Sequence, residues 1–181
     1  MNWKEHLELV ASLGKAFEEK VFSAEEVLIE GAQRGRMLLT CGNGGSAAQA
    51  DHFVAEWVGR FAIDRPPLRA VSLPGGNATT TALANDFGYA SVFSRGVEAF
   101  GRAGDMLVAL STSGKSANVH SALHEGAKRG LTTIALTGEE GLSEGVVDHL
   151  IDVPSDQTPL IQEVHLMVIH RWASAVEKAL F

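Results

Sequence analysis

The chain has 181 residues, 45% of them hydrophobic and 20% charged, with a formal net charge of -7. That length and apolar content suit one domain with a real core rather than two, and an acidic balance without a Lys/Arg cluster argues against a nucleic-acid partner. The single cysteine, Cys41, excludes an internal disulfide, no apolar run approaches the ~20 residues of a membrane span, and the N-terminus Met1-Asn2-Trp3-Lys4-Glu5-His6 is charged; the reading is a cytoplasmic protein.

Residues 3–34 carry Leu7, Val10, Leu13, Phe17, Val21, Val27 and Leu28 at helical spacing, which predicts two helices with a break near Ser23. Strand-like runs follow at 36–41, 69–73, 105–110, 132–136 and 149–153, short and mostly continuously apolar, as in parallel strands covered on both faces. Helical stretches are predicted at 45–59, 77–101 in two pieces, 115–129 and 139–146, and a long last helix at 157–180. The alternation implies one domain over 1–181: an α/β fold with a doubly wound, five-stranded parallel sheet, an N-terminal helical pair and a C-terminal helix. In such a fold ligands bind at the carboxyl ends of the strands.

Two strand-end loops carry chemistry. Gly42-Asn43-Gly44-Gly45-Ser46 follows the first strand, where glycines let backbone N–H groups face an anion at the positive end of the next helix. The same glycines also serve close helix–sheet packing. Ser111-Thr112-Ser113-Gly114-Lys115-Ser116 follows the third strand and offers four hydroxyls at a helix start, although Ser113 or Ser116 could equally act as an N-cap. No nucleotide P-loop pattern is present. His52 and Glu56 stand at i and i+4 on one helical face behind the glycine loop, a placement suited to acid–base or metal chemistry and also to a solvated pair. On the last helix Ile161, Val164, Val168 and Trp172 should face a core or partner. Gln162 and His170 there lie about 80° apart and roughly 12 Å along the axis. Cys41 reads as a small core residue, and His6, His120, His124, His149 and His165 as structural histidines.

Gly42-Asn43-Gly44-Gly45-Ser46, His52-(x3)-Glu56, Asn85-Asp86, Ser111 to Ser116 and Ile161-Gln162-Glu163-(x)-His165-(x4)-His170 together closely resemble the phosphoheptose (sedoheptulose-7-phosphate) isomerases of the sugar isomerase (SIS) superfamily, which have a flavodoxin-like sheet. The resemblance spans essentially the whole chain. It implies an aldose–ketose isomerase that interconverts sedoheptulose 7-phosphate and D-glycero-D-manno-heptose 7-phosphate through a cis-enediol, opening the route to a nucleotide-activated heptose. By the same resemblance Glu56 is the base and His170 the acid. Asn43, Gly44, Gly45 and Ser46 hold the sugar chain, Asn85 and Asp86 its hydroxyls, and Ser111, Thr112, Ser113 and Ser116 the phosphate, with Glu56 and Gln162 also at the substrate. His52, Glu56, Gln162 and His170 hold one zinc ion per subunit, and the assembly is a homotetramer with sites at subunit boundaries.

One departure concerns Leu73-Pro74-Gly75-Gly76-Asn77, which is richer in glycine than the Thr/Asp-bearing loop of those isomerases and bears on which sugar is recognised. Two other readings follow from the superfamily: a non-catalytic phosphosugar-binding regulator, of the kind that associates with the bacterial replication initiator, and an isomerase of another sugar phosphate. Trp3, Trp57 and Trp172 are the expected interface anchors.

Overall fold

Alternate residues of the central strands point to two different apolar layers, and this places the helices that cover the sheet. In the computed structural model, which describes residues 3–143 and 145–181, β1 (Leu38–Gly42), β2 (Ala70–Ser72), β3 (Met106–Ser111), β4 (Thr132–Gly138) and β5 (His149–Val153) form one parallel sheet in the order β2-β1-β3-β4-β5. Leu38, Met106, Val108, Leu110, Ile134, Leu136 and Ile151 face one side, against α2 (Lys15–Gln33), α3 (Gly45–Val58) and α7 (Thr158–Leu180). Leu39, Cys41, Leu107, Ala109 and Ala135 face the other, against α5 (Val92–Phe100) and α6 (Ala117–Lys128). This is the period of two along a strand, read on a sheet buried from both sides. β1 and β3 are buried along their whole length, whereas β2 is half-buried and β5 alternates, as befits edge strands.

The predicted strands are all present, within two residues at each end. The predicted 77–101 region divides at Gly88 into α4 (Asn77–Phe87), a short 3-10 turn (Tyr89–Ser91) and α5. Two expectations are corrected. The break in the N-terminal pair falls at Leu13-Gly14, between α1 (Trp3–Ser12) and α2, and not near Ser23. Val21, Ala24 and Leu28 bury the same stripe of α2 on either side of that serine and carry the helix through it. Among the described residues of 139–146 no helix forms; they are turns, bends and irregular chain, with Gly145 at φ 84°, and Glu144 lies outside the described residues.

Trp57 and Trp172 are also corrected, because both are core residues at 1% and 0% exposure, whereas Trp3 is 86% exposed. The indole of Trp172 donates to the carbonyl of Val21 and ties α7 to α2. Burial pushes the Cys41 thiol up to about 12, as suits an inert core residue. His165 is fully buried and meets the Thr137 carbonyl through Nε2 at 3.1 Å; burial holds its pKa down at about 4, so the ring is neutral at working pH. No described helix is long and apolar enough to cross a membrane.

Candidate active site

β1 ends in a turn that only glycine can make. Gly44 has φ 56°, and a Cβ on Gly45 would stand 2.6 Å from the Gln162 amide nitrogen, so α7 approaches α3 where side chains are missing. The contact is locked by Gln49, whose Nε2 donates to the Gln162 carbonyl at 2.6 Å. Gly45, Gln49, His52 and Glu56 form one stripe of α3, and this stripe runs along α7.

Along that stripe the two helices bring together three of the residues singled out from sequence. His52 Nε2 lies 2.9 Å from His170 Nε2 and 3.3 Å from Glu56 Oε1. One imidazole must donate and the other accept across the first contact. All three side chains are partly buried, with the Glu56 side chain 16% exposed. One ligand atom from each lies within 4.8 Å of the others. Two imidazoles and a carboxylate are a donor set that suits zinc, and tetrahedral zinc at ~2.0–2.1 Å would space its ligand atoms by roughly 3.3 Å. Gln162, the fourth member of the set that the resemblance implies, rests its amide on Gly45.

A buried clamp holds the far side of this cluster. The Glu177 carboxylate, on α7, accepts the backbone N–H groups of Phe61, Ala62 and Ile63 at 3.0, 2.8 and 2.9 Å. Arg65 reaches it at 3.2 Å and also donates to the carbonyls of Glu56 and Trp57 at 2.6 and 2.9 Å, so it caps the C-terminus of α3. The two side chains are 3% and 4% exposed. Burial works to raise the Glu177 pKa, but the three N–H groups and the Arg65 guanidinium outweigh it and hold the carboxyl below the ordinary range. The segment so fixed places the Phe61 ring 5.7 Å from the His170 ring.

At the carboxyl ends of β1 and β2 opens a cleft of about 480 Å³, lined by Asn43, Gly44, Asp51, Ser72, Pro74 to Gly76, Thr80 and Tyr89 among others. Asn43 is held there by a reciprocal amide pair with Asn118 and by the Tyr89 hydroxyl. The serine loop lies beyond, after β3. Ser111 and Ser116 face each other with hydroxyls 3.3 Å apart, and although Ser116 is the N-cap residue of α6, its side chain makes no capping bond. Thr112 and Ser113 line a smaller cavity of about 120 Å³ with Ser155 and Thr158, and Thr112 Oγ1 stands 3.4 Å from Thr158 Oγ1. Ser46 is buried under the glycine loop, in the first turn of α3.

Asn85 and Asp86 are exposed on the last turn of α4 and hydrogen-bond to each other; neither lines the cleft of this chain. Tyr89, Asn118, Ser155, Thr158, Arg65 and Glu177 escape sequence reasoning. For Glu177 the one available signal was a carboxylate at a core-facing position of α7, next to Val176.

A model of the SIS domain matches residues 3–138. The chain is 41% identical over 186 aligned residues to a phosphoheptose isomerase of Shewanella sp. (strain ANA-3), covering 99% of this chain and 93% of that protein. Its structure is similar to that of a phosphoheptose isomerase from Neisseria gonorrhoeae, with a TM-score of 0.89 and 38% identity over 97% of this chain and 95% of that one. It is also similar to the phosphoheptose isomerase of Francisella tularensis, with a TM-score of 0.92 and 31% identity over 97% and 94% of the two chains. With the α/β sheet, the two strand-end loops and the His52, Glu56 and His170 cluster in place, these likenesses identify the chain as a member of the phosphoheptose isomerase family of SIS-domain sugar-phosphate isomerases.

Proposed function

We propose that the enzyme interconverts sedoheptulose 7-phosphate and D-glycero-D-manno-heptose 7-phosphate, the entry to a nucleotide-activated heptose. The observation that carries the reading is the meeting of Glu56 and His170, on separate helices, in one partly buried cluster with His52. The Glu56 carboxylate removes a proton from C1 of the ketose, and the C–H electron pair becomes the C1=C2 bond of a cis-enediol as His170 gives a proton to the C2 carbonyl oxygen. Glu56 then returns a proton to C2 as the C1=C2 pair moves to form that bond, and His170, left neutral by the first transfer, takes the C1 hydroxyl proton as the aldehyde C=O forms. Asn43, Gly44, Gly45 and Ser46 hold the sugar chain, Asn85 and Asp86 its hydroxyls, and Ser111, Thr112, Ser113 and Ser116 the phosphate.

His52, Glu56 and His170 would hold one zinc ion per subunit, with Gln162 as the weaker fourth ligand, and the ion would supply Lewis-acid polarisation of the substrate oxygens. Elemental analysis of protein purified without chelator should find about one zinc per chain, and His170→Ala should lose most of it while keeping its far-UV circular dichroism. Zinc retained in full by that variant would remove His170 from the ligand set.

The site also calls for a second copy of the chain. Ala47, Asp51 and Val54 line the cleft, whereas His52 and Glu56 lie roughly on the opposite side of α3, so one subunit's cleft and its own cluster face different ways. We place the active sites at subunit boundaries of a homotetramer, with Leu7, Phe22, Phe87, Phe100 and Met167 among the exposed apolar residues available for contact. Light scattering at micromolar concentration should give about four times the 19.2 kDa chain mass, and a monomer of full activity would contradict shared sites.

The substrate assignment is tested by offering sedoheptulose 7-phosphate and a pentose 5-phosphate ketose in parallel. Conversion of the heptulose alone, or at a kcat/KM at least about tenfold higher, is expected. Preference for the pentose would assign a different sugar, and absence of turnover of both in a folded, zinc-loaded oligomer would favour a phosphosugar-binding regulator.

A further inference from the structure

Asn43 forms a closed arrangement with two residues to which sequence reasoning gave no role. Asn43 Nδ2 donates to Asn118 Oδ1 at 2.9 Å, and Asn118 Nδ2 donates back to Asn43 Oδ1 at 2.9 Å. Taken alone, such a head-to-tail amide pair reads the same with both groups flipped. The backbone selects one assignment: the N–H of Val119, shared with the Ser116 carbonyl at 3.0 Å, lies 3.0 Å from Asn118 Oδ1 and would meet another donor if the amide were flipped. The Tyr89 hydroxyl then lies 2.8 Å from Asn43 Oδ1 and acts as its donor.

A carboxamide oxygen accepts two hydrogen bonds and its nitrogen donates two. Both acceptor positions of Asn43 Oδ1 are filled, by Asn118 and Tyr89, and one of the two N–H groups is used by Asn118. What Asn43 keeps for the cleft it lines is a single N–H donor. Asn118 is 3% exposed and sits two residues after Ser116, so the pair joins the glycine loop after β1 to the serine loop after β3.

We infer that Tyr89 and Asn118 are positioning residues for substrate binding, which fix the Asn43 carboxamide so that it presents one N–H donor to a sugar-chain oxygen near the phosphate end. The inference rests on the phosphosugar reading of the site. The recognised atom is an acceptor, a hydroxyl or ether-type oxygen, on the phosphate side of the sugar chain because Asn118 closely follows the serine loop proposed to hold the phosphate. Its effect therefore falls on binding and not on the chemical step.

The test measures sedoheptulose 7-phosphate in two ways, by steady-state kinetics and by titration calorimetry, for wild type, Tyr89→Phe and Asn118→Asp. Tyr89 is more than half exposed and its replacement removes one oxygen, so folding is not at issue; Asn118→Asp keeps the acceptor and removes the donor to Asn43. Tyr89→Phe should raise KM and Kd about 3- to 10-fold, with kcat within about twofold, and Asn118→Asp should raise them further if it folds. KM and Kd within twofold of wild type for Tyr89→Phe would overturn the inference. A fall in kcat at unchanged KM would overturn it too, since that places the donor at the reacting carbons. Wild type that binds the sugar without converting it would sink the isomerase reading and leave the Kd comparison valid, whereas wild type that binds no sugar would overturn both.

Discussion

Glu56→Gln is expected to lower turnover of the heptulose phosphate by about 10²–10⁴-fold. The amide is isosteric with the carboxylate, so the stripe of α3 against α7 remains packed and the sugar still finds the strand-end loops. What is lost is the only carboxylate in the cluster with His52 and His170. Removal of the C1 proton requires a group that can carry it away, and an amide oxygen cannot. Binding of the phosphosugar, measured by titration calorimetry, should stay within a few-fold of wild type. Exchange of the substrate C–H with solvent deuterium should vanish together with product formation. A Glu56→Gln enzyme that exchanges and turns over normally would remove Glu56 as the base.

The largest stability effect is expected at Glu177. Its carboxylate satisfies three backbone N–H groups and the Arg65 guanidinium in a nearly solvent-free setting, so Glu177→Ala leaves a buried cation and three donors without their partner. Removing one member of a buried pair costs about 3–5 kcal/mol, which for a chain of this size lowers the midpoint of thermal unfolding on the order of 10 °C. Urea or thermal unfolding followed by circular dichroism measures it; a loss below about 1 kcal/mol would show that the clamp is marginal.

The pH dependence of this contribution has a definite sign. A carboxyl whose pKa is lower in the folded chain stabilises it above the unfolded value of about 4.3 and loses that stabilisation as pH falls through the lower folded value. The difference in stability between wild type and Glu177→Gln should therefore be fully developed at pH 7 and shrink as the medium is acidified below about pH 4.

The strands were legible because their chemistry is local. Met106 to Leu110 and Leu38 to Cys41 are continuous apolar runs, and burial from both faces is what such runs require. The stretch at 139–146 misled because Leu142 is indeed buried, yet it packs from a loop whose glycines, Gly141 and Gly145, give no helical support. The predicted break at Ser23 gave a lone serine more weight than the Val21, Ala24 and Leu28 stripe around it.

The site was legible in the same measure. His52 and Glu56 show their proximity directly, as i and i+4 on one helix. His170 joins them across 118 residues, a pairing that no spacing encodes and that only the resemblance supplied. Asn43 meets Asn118 across 75 residues, and Arg65 meets Glu177 across 112. These partners are chosen by how α3, α6 and α7 lie on the sheet, so they become visible only once the chain is folded. Asn85 and Asp86 hydrogen-bond to each other, exposed on α4 and outside this chain's cleft, so their proposed role depends on the proposed assembly.

The central claim is that this fold moves a proton between C1 and C2 of sedoheptulose 7-phosphate, and NMR in D2O addresses it in one measurement. Zinc-loaded wild-type enzyme should convert the ketose to the aldose heptose 7-phosphate and place deuterium at C2 of the product, while Glu56→Gln does neither. A folded, zinc-loaded oligomer that gives no aldose and no deuterium incorporation would contradict the account.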